Sequence, residues 1–275
     1  MKRIAILPVA AVLFAFGVAG GATYAGEKGV GTWQGPYLPA AIDNLDVSWW
    51  YNWQAGKDGC SGKGEFVPMI WGAKDVNGKE LAEATNSGAS AILTFNEPDN
   101  HQAGVGANMT VDQALDLWPQ IQAAAKAHHM RIGSPAPGGK RGAGGWLDQF
   151  MRGARARGYE VDFVCVHPYM ANPDPAEATS DLKRDLIAIH NYYKLPIWVT
   201  EYNMADWSKR GDPYQSPIKE AEFAKDSVRM MNNLPFVERY AWYVAMPDTS
   251  GMSEPSTCDA SGRNTVVGEA YKNAR

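Results

Sequence analysis

The chain has 275 residues, 45% of them hydrophobic, and its formal net charge of −4 is spread without any long run of one sign. This balance argues against a nucleic acid or an anionic membrane surface as a partner. Ten Trp and twelve Tyr residues are an unusual number of large amphipathic rings, so we expect some of them to line a groove.

The N-terminal residues have the composition of a secretory signal. Lys2 and Arg3 precede an apolar run over residues 4–20, and small residues follow it. The run is too short for a stable membrane span, and no second apolar run of about 18 residues follows. We therefore predict a signal peptide over residues 1–25, a secreted or periplasmic protein with no membrane association, and a single domain over residues 26–275.

Short runs rich in Val, Ile, Phe, Trp and Tyr alternate with longer amphipathic segments, which is typical of parallel strands covered by helices. We predict strands over residues 29–33, 46–52, 65–71, 90–96, 130–134, 161–167, 196–201 and 239–245. We predict helices over residues 79–86, 110–129, 145–157, 179–194 and 217–233, and from residue 265 onward. This order, over about 250 residues, predicts an α/β fold of the (β/α)8 TIM barrel type.

The connection between the second and third predicted strands has no helical pattern. Residues 54–64 read Gln-Ala-Gly-Lys-Asp-Gly-Cys-Ser-Gly-Lys-Gly, and glycine at this density favours an irregular loop. We therefore expect a modified barrel in which at least one covering helix is missing or replaced by a loop.

Three cysteines leave at least one thiol unpaired whichever way they are joined. Cys60 and Cys258 lie in polar loops, whereas Cys165 lies in an apolar strand. The loops favour a disulfide between Cys60 and Cys258, and the sequence leaves open whether their Cα atoms come within bridging distance.

Two glutamates end apolar predicted strands, where an unpaired charge is costly. Glu97 ends the fourth strand, after Ala-Ile-Leu-Thr-Phe-Asn, and Glu201 ends the seventh, after Pro-Ile-Trp-Val-Thr. Functional groups of a TIM barrel collect at the C-terminal ends of its strands, and strands four and seven can face each other across the mouth. Glycoside hydrolysis needs such a pair of carboxyl groups on either side of the scissile bond, so the pair predicts a glycosidase.

Other polar and aromatic side chains near the strand ends are candidate contacts for a sugar. They are Asn52, Trp71, Asn96, His167, Tyr169, Tyr202 and Trp242. Trp242 is expected to form a stacking floor beneath the sugar at the cleavage point, and the hydroxyl of Tyr169 to hold Glu201 in its ionised form. A core histidine beside a packing tyrosine is the alternative for His167 and Tyr169. Trp33 is interpreted as a core residue.

Several motifs together resemble glycoside hydrolase family 128. They are Lys28-Gly-Val-Gly31, Val47-Ser-Trp-Trp-Tyr-Asn-Trp53, Phe66-Val-Pro-Met-Ile-Trp71, Phe95-Asn-Glu-Pro-Asp99, Val166-His-Pro-Tyr169 and Val199-Thr-Glu-Tyr202. That family consists of β-1,3-glucanases in the large clan of retaining (β/α)8 enzymes, clan A, whose acid/base and nucleophile close strands four and seven. The resemblance implies that Glu97 is the acid/base and Glu201 the nucleophile, with no metal or cofactor.

We therefore expect a monomeric, retaining endo-β-1,3-glucanase that hydrolyses laminarin-type or curdlan-type β-glucan through a glycosyl-enzyme intermediate. Two alternatives stay open: a retaining hydrolase of another β-glycan, such as a β-1,4-glucan or mannan, and a glycan-binding barrel without catalysis. The expected roles require a raised pKa for Glu97, which must hold a proton, and an ionised Glu201.

Overall fold

The computed structural model describes residues 26–247 and 253–275, so the predicted signal peptide lies outside the described residues. No helix in this part of the chain is long and apolar enough to cross a membrane. The strands are β1 Glu27–Thr32, β2 Trp49–Tyr51, β3 Glu65–Phe66, β4 Met69–Ile70, β5 Ala91–Asn96, β6 Arg131–Ala136, β7 Val164–Val166, β8 Ile197–Tyr202 and β9 Val237–Ala245. The α-helices are α1 Leu38–Leu45, α2 Gly78–Thr85, α3 Val111–Ala127, α4 Trp146–Ala156, α5 Pro175–Tyr193, α6 Pro217–Asn232 and α7 Val266–Asn273.

The strands occupy the eight positions of a (β/α)8 barrel, as predicted. They pair in the orders β3-β2-β1-β9-β8-β7 and β4-β5-β6, and each named pair is parallel. The third predicted strand is split into β3 and β4 at Val67-Pro68, where proline has no N–H for a ladder bond. A parallel bridge between Gly133 and Phe163 joins β6 to β7, so the ring closes.

A loop replaces the covering helix between β2 and β3, because the described residues 52–64 form only bends and turns. Gly64 has φ +83° in this loop, and a Cβ there would lie 2.7 Å from the Ser48 carbonyl oxygen. Only glycine fits that position. By contrast, helix α1 was not predicted. It has only eight residues, and its buried side chains hold it against the barrel.

The barrel interior is filled by large rings, so its functional groups are reached from the C-terminal mouth. Trp49, Tyr51, Phe163 and Trp198 are buried there and pack against one another. The Arg239 guanidinium lies 4.4 Å from the Trp198 ring centroid. It also forms ion pairs with Glu27 and Glu65, the first residues of β1 and β3. This cluster closes the opposite end of the barrel.

In the structure Cys60, Cys165 and Cys258 are free thiols, so the predicted Cys60–Cys258 disulfide is not formed there. Cys258 is buried in an apolar cluster, and Cys60 packs against the same cluster. Burial raises the pKa of both thiols, that of Cys258 to about 12. Cys258 therefore behaves as a small apolar residue of the core, and Cys60 as a partly buried one at its edge.

Candidate active site

A cleft of about 1150 Å³ opens at the C-terminal ends of the strands, and both predicted glutamates line it. Glu97 directly follows β5, and Glu201 lies near the end of β8. Their positions correspond to strands four and seven of the barrel, as the sequence predicted. The side chains are 11% and 7% exposed, so both are held largely away from water.

Glu201 is fixed by hydrogen bonds to both of its carboxylate oxygens. The indole N–H of Trp53 donates to Oε1 at 2.7 Å, and the hydroxyl of Tyr169 donates to Oε2 at 2.5 Å. The Tyr51 hydroxyl lies 3.4 Å from Oε1 and donates more closely to the Thr200 carbonyl, at 2.9 Å. Donors on two sides of the carboxylate aim it into the cleft, which is the geometry that a nucleophile requires.

Glu97 has a strained backbone, with φ +40°, in the turn that follows β5. Its N–H donates to the Ala136 carbonyl oxygen on β6 at 2.8 Å, and this bond anchors the turn. The Asn100 side-chain amide donates to Oε2 at 2.8 Å. A Cβ on Gly138 would lie 3.0 Å from the Glu97 carboxyl carbon, so a glycine there leaves room for the carboxyl group.

His167 joins the two glutamates. It is fully buried, and its Nδ1 lies 3.1 Å from Glu97 Oε1 and 3.6 Å from Glu201 Oε2. Burial lowers the pKa of His167, but the two carboxylates raise it more, so the net pKa lies above its ordinary value. The imidazole can therefore act as a proton donor next to both carboxyl groups.

The expectation of a raised pKa for Glu97 is wrong for the substrate-free protein. Burial raises the pKa of Glu97, but the hydrogen bond from His167 and the charge on that ring lower it more. The net pKa lies below its ordinary value. The raised pKa was expected from the acid/base role of Glu97, and that expectation did not include the imidazole that the fold places against the carboxyl group.

The two carboxyl groups are close enough to act on one bond. One ligand atom from each of Glu97, His167 and Glu201 lies within 4.8 Å of the others. Retaining glycosidases hold their carboxyl groups about 5–5.5 Å apart, and inverting enzymes about 6.5–9.5 Å apart. The three residues offer ligand atoms for a metal ion, but hydrogen bonds donated by Trp53, Tyr169 and Asn100 to the carboxylate oxygens compete with metal coordination.

Four of the predicted sugar contacts line the cleft: Asn52, Trp71, Asn96 and Tyr169. Asn52 shapes the loop after β2, since its amide donates to the Gly56 carbonyl at 3.0 Å. The amide nitrogen of Asn96 donates to the Val105 carbonyl at 3.0 Å, and its buried Oδ1 has no partner among the described residues. Asn96 and the half-buried Trp71 therefore have polar and aromatic surface directed at the cleft.

Tyr202 and Trp242 were wrongly predicted to contact substrate. Both are fully buried, and their rings pack 5.1 Å apart beside Phe223 of α6, on the outer face of the barrel. Successive strand residues point to opposite faces, so the neighbours Glu201 and Tyr243 face the cleft instead.

Other cleft residues were missed or misjudged. Trp33 was interpreted as a core residue, but it is 40% exposed and stacks on Trp53 with ring centroids 4.5 Å apart. Tyr243 lies edge-on to Trp53 at 5.8 Å and to Tyr169 at 5.8 Å. Strand alternation shows only that Trp242 and Tyr243 lie on opposite faces of β9. These rings form an aromatic wall next to the two glutamates.

Comparison with known proteins shows the family. Residues 30–271 match the family model described as the glycosyl hydrolase catalytic core. Two similar crystal structures are of a family 128, subgroup I endo-β-1,3-glucanase from Amycolatopsis mediterranei. One holds laminarihexaose and the other laminaritriose and laminaribiose, and a different glutamate is replaced in each. They are 41% and 40% identical to this chain, with TM-scores of 0.82 and 0.83, and each alignment covers 90% of this chain and 99% of the other.

More distant relatives are also similar. A family 128, subgroup VII oligosaccharide-binding protein from Trichoderma gamsii is 22% identical, with a TM-score of 0.69 over 89% of this chain and 92% of its own, which shows a shared fold. Alkali-sensitive linkage protein 1 of Schizosaccharomyces pombe is 27% identical over 233 residues, 83% of this chain. The chain spans 40% of the length of that curated relative. The family-model match, together with 41% identity over nearly the whole of a solved structure, establishes that this chain belongs to glycoside hydrolase family 128.

Proposed function

We propose that the protein is a secreted, monomeric, retaining endo-β-1,3-glucanase that acts on laminarin-type and curdlan-type glucans. The observation that carries the proposal is the placement of Glu97 and Glu201 on one cleft, with carboxylate oxygens within 4.8 Å of each other. The similar enzyme from A. mediterranei supports the linkage, since it holds laminari-oligosaccharides. Secretion rests on the composition of residues 1–25, and the N-terminal sequence of the exported protein tests it.

The two glutamates perform a double displacement. Glu97 gives its proton to the glycosidic oxygen while a Glu201 oxygen attacks the anomeric carbon. The bond to the leaving sugar breaks, and a glycosyl ester of Glu201 forms. Glu97, now a carboxylate, then takes a proton from water as the water oxygen attacks the anomeric carbon. The ester bond breaks, Glu201 becomes a carboxylate again, and Glu97 regains its proton.

His167 accounts for the protonated form of Glu97 despite the low pKa of that carboxyl. In the substrate-free protein the two carboxylates raise the pKa of His167 against the effect of burial, which favours a proton on the imidazole. Its Nδ1 lies 3.1 Å from Glu97 Oε1, so a proton can move directly between them. The move leaves a neutral imidazole and a carboxylic acid without any uptake of protons from solvent. The pair therefore delivers the proton on which the first step depends.

Replacing His167 with glutamine is expected to shift the basic limb of the kcat/KM profile to lower pH. In the native protein that limb reports loss of the proton that His167 and Glu97 share. Because the pKa of His167 is raised, the pair keeps this proton to higher pH. Glutamine offers an amide donor but does not titrate, so the pKa of Glu97 alone determines the position of the basic limb. The check is kcat/KM for laminarihexaose from about pH 4 to about pH 9. The exposed His128→Gln is the matched control, and an unchanged basic limb in His167→Gln contradicts the shared proton.

Incubation with laminarin, curdlan, carboxymethylcellulose and mannan tests the substrate and the mode of cleavage. We expect laminarin and curdlan to lose chain length early and to give a ladder of oligosaccharides, as internal cleavage does. Release of one small sugar from long chains indicates exo action. Breakdown of carboxymethylcellulose or mannan supports the alternative β-glycan substrates.

A glycan-binding barrel without catalysis is the second candidate, because the family 128 fold also occurs in an oligosaccharide-binding protein. It predicts binding of laminarihexaose without release of reducing sugar. The network around the carboxylates favours the enzyme, since Trp53, Tyr169 and Asn100 all serve to orient the two glutamates.

A further inference from the structure

Glu220 is a fully buried carboxyl group outside the catalytic pair, in the first turn of α6. Its Oε2 accepts a hydrogen bond from the backbone N–H of Met204 at 3.1 Å, and its Oε1 accepts one from the N–H of Gln215 at 3.2 Å. A buried carboxyl group is costly unless it is hydrogen-bonded, so these two bonds offset part of the cost of burying Glu220.

The two bonded amides lie at the two ends of one loop. Residues 204–215 follow β8, which carries Glu201, and precede α6. Within the loop, Ala205 and Tyr214 form an antiparallel bridge, and the Asp206 N–H donates to the Pro213 carbonyl at 2.8 Å. The loop is therefore a small hairpin whose two ends are tied together by the Glu220 side chain.

The hairpin presents two aromatic rings to the cleft. Trp207 and Tyr214 both line it, and Trp207 is 57% exposed. The Trp207 ring lies edge-on to Tyr214 at 5.6 Å and to Tyr169 at 5.4 Å. Since Tyr169 bonds Glu201, the hairpin reaches from the cleft edge to the side chain that aims the proposed nucleophile.

No cation is paired with Glu220 among the residues that the structure describes. Burial raises the pKa of Glu220 to about 8, although its two backbone hydrogen bonds act in the opposite direction. The charges of Glu254 and Asp212 add to the rise. Among the described residues, the hydrogen bonds that this carboxyl group accepts are those that hold the loop.

We propose that Glu220 is a positioning residue that ties the two ends of the 204–215 hairpin and thereby fixes Trp207 as a contact surface for the glucan chain. The sugar contact rests on the proposed function, whereas the tie itself does not. Glutamine at position 220 keeps one acceptor oxygen and so retains one of the two ties, and alanine retains neither. The effect is therefore graded across the two variants.

The test compares Glu220→Ala, Glu220→Gln, Trp207→Ala and the double variant Glu220→Ala/Trp207→Ala, with the exposed Glu222→Gln on the same helix as control. Kinetics on laminarihexaose and amide hydrogen exchange over residues 204–215 are measured for each. We expect KM to rise about tenfold in Glu220→Ala and less in Glu220→Gln, with kcat within about threefold of wild type. Exchange should quicken in the hairpin but not in the helices.

The double variant separates positioning from general support of the fold. If Glu220 acts through Trp207, the KM of the double variant is no higher than that of the worse single variant. A KM equal to the product of the two single effects overturns the proposal, as do unchanged KM and hairpin exchange in Glu220→Ala. Should Glu220→Ala fail to fold, Glu220→Gln answers the same question. If the wild type does not cleave laminarihexaose, the proposed function fails, and hairpin exchange alone decides whether the tie exists.

Discussion

Replacing Glu201 with glutamine is expected to abolish hydrolysis of laminarihexaose while leaving its binding nearly unchanged. The amide has the shape of the carboxyl group but cannot form the glycosyl ester. Its oxygen can still accept from Trp53, and its nitrogen can donate to the Tyr169 hydroxyl, so the site keeps its form. Reducing-sugar release measures hydrolysis, and titration calorimetry measures binding.

The exposed Glu177→Gln, in the first turn of α5, is the matched control for that substitution. It changes the same functional group far from the cleft and should retain wild-type turnover. Turnover of Glu201→Gln above about one per cent of wild type contradicts a nucleophilic role for Glu201.

The Glu97→Gln variant should lose about 10²-fold to 10⁴-fold in kcat/KM on laminarihexaose, the usual contribution of a general acid/base. The loss should be much smaller for an aryl laminaribioside with an acidic phenol, since that leaving group departs without a proton. The glycosyl-enzyme then accumulates, because no base activates the water. Azide attacks without a base, so it should restore turnover and give a β-glycosyl azide.

Leaving-group dependence and azide rescue distinguish an acid/base from a residue that only supports the site. An equal loss on both substrates, with no effect of azide, contradicts the role of Glu97. Variants of His167 provide a second comparison, since they should move the pH profile without azide rescue.

The sequence was sufficient for the barrel and for its two glutamates. Apolar runs of strand length alternate with amphipathic segments, and Glu97 and Glu201 stand out because each ends such a run. The glycine-dense loop after β2 was equally clear, since no helix tolerates that composition. These features are local, and each follows from the residues of a single segment.

Contacts between distant segments were beyond sequence reasoning. The pKa of Glu97 depends on His167, seventy positions along the chain. The choice between Trp242 and Tyr243 depends on which face of β9 packs against α6 and which lies toward the barrel interior. Successive residues of a strand lie on opposite faces, so a correctly predicted strand still gave the wrong sugar contact.

Covalent labelling of Glu201 tests a retaining mechanism most directly. A laminaribiosyl fluoride with fluorine at the 2-position forms the glycosyl-enzyme but releases it slowly, because the transition states are destabilised. Mass spectrometry of the digested protein then locates the sugar. We expect one laminaribiosyl adduct on the peptide that contains Glu201 in the wild type, and none in Glu201→Gln. An adduct on any other residue, or an active enzyme that takes up no label, contradicts Glu201 as the nucleophile of a retaining β-1,3-glucanase.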